Sequence, residues 1–265
     1  MTNLYELIKT IENLTGTQNT SETAIKLGTT NLEEQKKIKI KKCLISLYPH
    51  RNALLMAVRD KYDLLITYNL PDFWNFNQIT DELYPKIRIL LQNRISFYVI
   101  PKDWVNAKSG LIEVISEVFD LEVVGILQVK ENANKEVTLG RICQITTPSS
   151  TLQNLLTLIQ EKLNITSLRY LGDPDSNIRK IGIIVGNSLS TKLLKMAKRM
   201  EIDTIICTDF TFNVEKVAEE LDINLIDTTL YIINLGLLKL TQTLRMEHFD
   251  VDFAFDNQKP SFKIF

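Results

Sequence analysis

A strand-length apolar run that ends in polar residues is the feature that most constrains the fold. It extends from Tyr62 to Pro71 and has the sequence Tyr-Asp-Leu-Leu-Ile-Thr-Tyr-Asn-Leu-Pro. A continuous apolar run of this length, following a helical pattern, indicates a buried parallel strand. Its carboxyl end carries Tyr68 and Asn69, and ligands of open α/β sheets bind outside that end of the strands. The stretch therefore predicts an α/β protein with its candidate site at this edge.

The same pattern occurs a second time in the chain. A set of residues recurs without a gap 140 positions later: Leu54, Met56, Ala57, Arg59, Asp63 and Ile66 are matched by Leu194, Met196, Ala197, Arg199, Asp203 and Ile206. The flanks agree as well, which places Cys43–Ser46 opposite Ile183–Gly186 and Asn69 opposite Asp209. Because both copies have a strand–helix–strand pattern, we predict two related halves in one pseudo-symmetric, two-lobed α/β body.

The repeat also suggests where the halves lie. We expect a single domain, 1–265, built from related halves that comprise about 1–122 with 181–265. The segment between them, 123–180, is more variable in pattern. With 45% hydrophobic residues, the chain is long enough to bury a substantial core.

Three local expectations accompany this fold. The Thr- and Asn-rich stretch 15–35 is predicted to be irregular. Ser149 and Ser150 are expected to cap a helix that ends near Leu163. A closing strand is predicted over Phe249–Phe255 from its alternating apolar pattern.

Composition excludes some classes of partner. The 31 basic and 32 acidic residues give a net charge of −1, which lacks the basic excess typical of nucleic-acid binding. No run approaches the roughly 18 apolar residues of a membrane span, and the first residues do not resemble a signal peptide. We therefore expect a cytoplasmic protein with neither a nucleic acid nor a membrane as its partner.

The residues with the most reactive side chains are few. Cys43, Cys143 and Cys207 lie in apolar stretches and are expected to be buried, reduced thiols, with a nucleophile or ligand at Cys207 as the alternative. The two histidines are His50 and His248. His50 follows the first strand, where it is either an acid or base facing the site or, as we favour, a solvated loop residue. His248 is expected at the surface.

Several motifs resemble those of a known family. Asp63–Pro71 is similar to the family's Asp-Leu-Ile-Ile-Thr-His-His-Pro, and Leu139–Arg141 is similar to its Leu-Gly-Arg strand opening. Asp203–Asp209 matches its Ala-Asp-x-x-x-Thr-Gly-Asp, and Ile226-Asp227 matches the strand end before its Gly-His-x-x-x-Glu helix. Val251–Phe253, with Asn257 and Pro260, is similar to its closing strand and Asn-Pro tail. On these motifs the chain resembles the NIF-three-like dinuclear-metal hexameric proteins, also called type-two GTP cyclohydrolase-like. The resemblance covers nearly the whole chain. It implies the family's mixed-sheet α/β fold with helices packed on the sheets, a toroidal homo-hexamer and a dinuclear metal site.

The resemblance fails at the metal ligands. Where the family has paired histidines, this chain has Tyr68 and Asn69. Val105 stands in the next ligand position, with Asp103 two residues away, and Leu230 and Asn234 replace the histidine and glutamate of the last helix. A dinuclear site needs imidazoles and a bridging carboxylate. We therefore expect no metal and no other cofactor.

Acidic residues after the strand ends leave one alternative. Asp72, Asp103, Asp209 and Asp227 could converge and hold Mg²⁺ or Mn²⁺ through oxygen ligands. Aspartates at such positions also cap helices and form turns, which is the interpretation that we favour.

Three hypotheses about function follow, of which the third is a purely structural ring that responds to neither metal nor small molecule. The favoured hypothesis is a pseudoenzyme, that is a non-catalytic protein with a degenerate metal site. It would act as a homo-oligomeric scaffold or as a module that binds a ligand or a protein. A protein partner or an active paralogue would be its partner besides further copies of itself. Its vestigial cleft would be lined by Tyr68, Asn69, Asp72, Asp103, Val105, Asp209, Asp227, Leu230 and Asn234. The alternative is a hydrolase of the GTP cyclohydrolase type-two-like class that acts on a nucleotide or heterocycle through a rebuilt aspartate site. Only this alternative requires a divalent metal.

Overall fold

The computed structural model describes residues 1–17, 24–68, 70–72, 74–132, 135–146, 150–186 and 189–260, without the side chains of 129–136. The chain divides into two compact units. The first consists of Met1–Ala107 and Gly236–Lys259, and the second contains Lys108–Leu235. Each unit has a mixed β-sheet with helices, so the expected α/β class is confirmed. No helix in these described ranges is long and apolar enough to cross a membrane.

The first unit contains the N-terminal elements and the end of the chain. Its elements are α1 (Leu4–Thr15), β1 (Ile25–Leu27), α2 (Leu32–Lys37), β2 (Lys42–Ser46), α3 (Arg51–Arg59), β3 (Leu64–Thr67), α4 (Tyr84–Gln92), β4 (Ser96–Val99), a 3₁₀ helix (Lys102–Val105) and β11 (Asp252–Asp256). The strand order is β1-β4-β3-β2-β11. All neighbouring strands are parallel except β1, which is antiparallel to β4.

The second unit contains the remaining strands. Its elements are α5 (Leu111–Val118), β5 (Leu121–Asn132), β6 (Lys135–Ile145), α6 (Leu152–Leu163), β7 (Arg169–Leu171), β8 (Lys180–Ile183), α7 (Thr191–Arg199), β9 (Thr204–Cys207), α8 (Phe212–Glu220), β10 (Asn224–Asp227) and a 3₁₀ helix (Leu230–Ile232). The strand order is β5-β6-β8-β9-β10-β7, with β8, β9 and β10 parallel and the others antiparallel. A last helix, α9 (Ile233–Glu247), begins in this unit and ends in the first.

Apolar runs become buried strands in both units, as the sequence predicts. Leu64–Thr67 and Thr204–Cys207 are buried along their whole length. Leu44, Leu65 and Phe97 pack against the inner faces of α3 and α4 in the first unit. An equivalent cluster in the second unit includes Leu194 of α7 and Leu225 of β10. These cores hold the carboxyl ends of the parallel strands in place.

An aspartate organises the same turn in each unit. Asp63 and Asp203 directly precede β3 and β9. One carboxylate oxygen of each accepts two backbone N–H groups beside the neighbouring strand, from Lys41 and Lys42 at 2.7 and 2.9 Å in the first unit, and from Arg179 and Lys180 at 2.9 and 3.0 Å in the second. Identical local chemistry thus accounts for the recurrence of this residue in the sequence.

The strand register corrects part of the sequence comparison. Cys43 pairs with Leu64 and Ile181 pairs with Thr204, so the first strands of the two copies correspond with a spacing of 138. The placement of Cys43–Ser46 opposite Ile183–Gly186 was therefore wrong by two residues. The connection between the first strand and the helix is longer in the second copy, and an ungapped comparison cannot detect this.

Three local expectations also need correction. The stretch 15–35 contains β1 and the start of α2. The helix after Ser150 is capped by the Thr151 hydroxyl, which accepts from the N–H of Asn154 at 3.3 Å, and Ser149 lies outside the described residues. The closing strand is Asp252–Asp256 and does not begin at Phe249.

The Leu139–Arg141 motif has a structural role in β6. A side chain at Gly140 would place its Cβ against the carbonyl oxygen of Ile183 in β8, so only glycine permits this close approach. Arg141 is buried and its Nε donates to Glu113 of α5 at 3.2 Å. Both residues secure β6 within the second unit.

Candidate functional site

The candidate site positions divide between the two units. Tyr68, Asp72, Asp103 and Val105 belong to the first unit, and Asp209, Asp227, Leu230 and Asn234 belong to the second. Asn69 lies outside the described residues. Each group is described within its own unit.

Tyr68 follows β3 and is buried. It is 8% exposed, and its ring meets the Trp104 ring edge to face with centroids 5.7 Å apart. Burial raises the pKa of Tyr68 to about 12, so the phenol is neutral at physiological pH. It can form hydrogen bonds but does not supply a phenolate.

The next two candidates, Asp103 and Val105, lie in the 3₁₀ helix after β4 and differ in burial. Trp104 and Val105 point inward and are 3% and 5% exposed, whereas Asp103 is exposed. Asp72, in a turn after β3, is also exposed. The structure therefore brings an aromatic ring to Tyr68 and leaves these two carboxylates at the surface of the first unit.

In the second unit, the Arg169 guanidinium forms ion pairs with both Asp209 and Asp227. Arg169 begins β7, and antiparallel pairing places it opposite Asp227 of β10. Its Nε lies 3.1 Å from Asp227 Oδ2, and its Nη2 lies 3.2 Å from Asp209 Oδ1. Nη2 also donates to the Phe210 carbonyl at 2.8 Å, and the guanidinium lies 3.8 Å above the Phe210 ring.

The two carboxylates differ in their surroundings. Asp209 is 71% exposed at its side chain, whereas Asp227 is only 10% exposed. Burial raises the pKa of Asp227 above its ordinary value, although the Thr229 N–H and the Arg169 guanidinium favour the charged form. Arg169 and the Thr229 N–H therefore offset only part of the cost of burying this charge.

Asp227 also fixes the turn that leads to Leu230. Its Oδ1 accepts from the Thr229 N–H at 2.8 Å. Thr229 has φ 57° and ψ 176°, a backbone conformation that residues other than glycine rarely adopt. This position is the one where the resembling motif has glycine. The turn is followed by Leu230, which starts the 3₁₀ helix, and by the buried Asn234 in α9.

Sequence reasoning missed Arg169. Nothing in the local pattern marks it, because its role depends on the pairing of β7 with β10. The interpretation of Asp227 as a turn residue agrees with its bond to Thr229. Among the described residues, no group of three or more His, Cys, Asp or Glu side chains is arranged to hold a metal ion.

Both histidines make side-chain contacts that the sequence does not predict. His50 is 22% exposed at its side chain, and its Nε2 lies 2.7 Å from Asp256 Oδ2, so the solvated loop interpretation was wrong. His248 is also only partly exposed, with Nδ1 at 3.1 Å from Thr2 Oγ1 and Nε2 at 2.8 Å from Thr10 Oγ1. It connects the closing segment to the N-terminal residues. The expectation of three buried free thiols is confirmed.

Comparisons with known proteins agree in fold and in family. The family model described as Duf34/NIF3 (NGG1p interacting factor 3) matches residues 2–260. A Clostridium perfringens protein named GTP cyclohydrolase 1 type 2 homolog is 28% identical over 190 residues, which are 71% of each chain. A Methanocaldococcus jannaschii protein of the same name is 25% identical over 221 residues, 81% of this chain and 85% of its own.

Solved structures resemble the fold over nearly the whole chain. A Bacillus cereus protein related to NIF3 superposes with a TM-score of 0.77 at 14% identity, covering 100% of this chain and 99% of its own. Reduced HcgD from Methanocaldococcus jannaschii superposes with a TM-score of 0.75 at 22% identity, covering 96% and 97%. At these identities the likeness concerns the fold alone.

Proposed function

The chain belongs to the Duf34/NIF3 family, and we propose that it is a member without metal-dependent chemistry that acts as a homo-oligomeric scaffold binding a small ligand or a protein. The proposal rests on the side chains at the positions where the resembling motifs have metal ligands.

The donor set does not fit two divalent cations. Tyr68 is a neutral, buried phenol in contact with Trp104. Val105 is buried and apolar, and Leu230 offers no donor atom. Asn234 provides an amide, which is a weaker ligand than a bridging carboxylate. This set supplies neither an imidazole nor a negative charge, and it is the observation that carries the proposal.

The ion pairs of Arg169 support the same conclusion. The guanidinium forms ion pairs with both Asp209 and Asp227, and a divalent cation at these carboxylates would have to displace it. Asp72 and Asp103, the other acids of the alternative hydrolase site, are exposed residues of the first unit. No specific observation therefore favours that hydrolase, and binding is the better-supported role.

We further propose that the scaffold is a homo-hexamer in the cytoplasm, in line with the family resemblance, and that it binds a protein partner or an active paralogue. The size of the assembly is tested by native mass spectrometry, where we expect a species of six subunits. A monomer at micromolar concentration would refute this part.

Metal binding tests the central part of the proposal. A ligand that binds only the folded state raises its stability by about 2.7 kcal/mol at a concentration of 100 times its Kd. We expect the unfolding temperature of the wild type to be the same in EDTA, Mn²⁺ and Zn²⁺. The matched variant restores the family donors through Tyr68→His, Asn69→His, Val105→Asp, Leu230→His and Asn234→Glu, and should gain metal-dependent stability. Stabilisation of the wild type by either ion would overturn the proposal, whether or not the variant folds.

A further inference from the structure

Three polar side chains converge on one carboxylate oxygen at the carboxyl edge of the first sheet. The last residues of β2 and β11, Ser46 and Asp256, are register partners. Asp256 Oδ2 lies 2.7 Å from His50 Nε2, 2.8 Å from Ser46 Oγ and 3.2 Å from Gln258 Nε2. The carboxyl edge of a parallel sheet is where ligands bind in open α/β folds.

The acceptor determines the tautomer of His50. An ionised carboxylate only accepts hydrogen bonds, so the neutral imidazole of His50 carries its proton on Nε2 and leaves a lone pair on Nδ1. Nδ1 has no hydrogen-bond partner among the residues that the structure describes. The side chain is 22% exposed, so part of the imidazole is open to water. His50 is also the N-cap residue of α3, yet its side chain makes no capping bond to a described residue.

Ser46 is not a nucleophile in this arrangement. Its Oγ donates to Asp256 or to the Tyr48 carbonyl at 3.1 Å, and it accepts from Gln258 Nε2 at 2.5 Å. In a serine-based triad the hydroxyl would instead donate to the imidazole. Ser46 and Gln258 therefore orient Asp256, and Asp256 orients His50.

We propose that His50 and Asp256 form a metal-independent acid–base site that hydrolyses a small neutral aryl ester or amide. His50 Nδ1 takes a proton from water while the water oxygen bonds to the acyl carbon. The bond from the acyl carbon to its leaving group then breaks, and the leaving group receives the proton from Nδ1. Asp256 stays ionised and stabilises the imidazolium that forms between these steps.

The surroundings indicate the class of substrate. Asp256 disfavours an anionic ligand such as a phosphate ester. The Tyr48 ring lies beside the imidazole with centroids 5.4 Å apart, which provides an aromatic surface for a flat group. This site goes beyond the proposed binding role, and neither depends on the other.

His248 is a matched control within the same unit. Both of its ring nitrogens lie within hydrogen-bond distance of threonine hydroxyls, Thr2 and Thr10. Each nitrogen therefore already has a partner, and no carboxylate of a described residue pairs with the ring. As these are the only histidines of the chain, any imidazole-dependent reaction can be assigned to one of the two.

The test is hydrolysis of p-nitrophenyl acetate by the full chain. We expect His50→Gln and Asp256→Asn each to lower the rate constant at least about tenfold, since positioned acid–base groups contribute about 10²- to 10⁴-fold. His248→Gln should leave the rate unchanged. Long-range ¹H–¹⁵N spectra of histidine-labelled protein should show the Nε2–H tautomer for His50.

Three outcomes would overturn the proposal. A wild-type rate constant no higher than that of His50→Gln, or no higher than that of buffer alone, would show that His50 has no such activity. Loss of rate in His248→Gln equal to that in His50→Gln assigns it to something other than the carboxylate-paired imidazole. An Nδ1–H tautomer removes the base. None of these results bears on metal binding, so the proposed scaffold role is tested separately.

Discussion

Replacing Arg169 by methionine removes the cation of the second unit but keeps the alkyl contact with the Phe210 ring. The change breaks the 3.1 Å ion pair with Asp227, the weaker pair with Asp209 and the 2.8 Å hydrogen bond to the Phe210 carbonyl. It leaves the Asp227 carboxylate, which is 10% exposed, with the Thr229 N–H. We therefore expect the folded state to be destabilised.

The magnitude follows from the exposure of the two partners. Breaking a fully buried ion pair costs about 3–5 kcal/mol, whereas exposed pairs contribute about 0–1 kcal/mol. The Arg169 side chain is 54% exposed, so solvent screens its interaction with Asp227. An intermediate loss of about 2 kcal/mol is expected, which corresponds to a fall in unfolding temperature of about 4–8 °C.

Differential scanning calorimetry and urea unfolding measure this loss. Arg59→Met is the matched control, because Arg59 is 74% exposed and pairs only with the adjacent Asp60 among the described residues; it should not change stability measurably. Arg169→Lys should restore less than half of the loss, since an ammonium group cannot reproduce the fork that reaches all three acceptors. Equal stability of Arg169→Met and Arg59→Met would refute the role assigned to Arg169.

Three further substitutions test other parts of the structure. The hydrogen bond from the Thr2 hydroxyl, and next the one from the Thr2 N–H, lower the pKa of Asp250 from 3.8 to about 2. Asp250→Asn should therefore lower the unfolding temperature above pH 4, and its difference from the wild type should shrink below pH 4 and vanish as the pH falls through 2. Gly140→Ala should lower the free energy of unfolding in urea by about 2 kcal/mol or more, because the new Cβ would meet the backbone of β8. Gly125→Ala, where a Cβ would have ordinary contacts, should lower it by less than about 1 kcal/mol. Equal losses would contradict the close packing at Gly140. Thr229→Gly should be more stable than Thr229→Ala, because both variants lose the hydroxyl that accepts from the Tyr231 N–H and only glycine relieves the positive φ. Equal or lower stability of Thr229→Gly would show that the turn is not strained.

The strands were predictable because burial on both faces leaves a direct mark on sequence. Continuous apolar runs such as those of β3 and β9 occur where helices cover a parallel sheet. The recurrence of Asp63 and Asp203 was visible for a similar reason, since each performs the same local task. The helix α2 was not predictable in this way, because Gln35 is its one buried residue and its sequence therefore has no apolar stripe.

The candidate site was less predictable because its contacts join distant parts of the chain. Arg169 meets Asp227 only after β7 pairs with β10. His50 meets Asp256 only after β11 pairs with β2. In both cases the local pattern around each residue is that of an ordinary strand end or turn. Sequence reasoning therefore named Asp227 and His50 but could not supply their partners.

Metal content per subunit is the decisive measurement for the proposed absence of a dinuclear metal site. Protein purified without chelator would be measured by elemental mass spectrometry, with subunit concentration from amino-acid analysis. If the proposed function is correct, transition metal should be close to zero per subunit. One or two metal ions per subunit would contradict the proposed function and would show that side chains of this chain form a metal site.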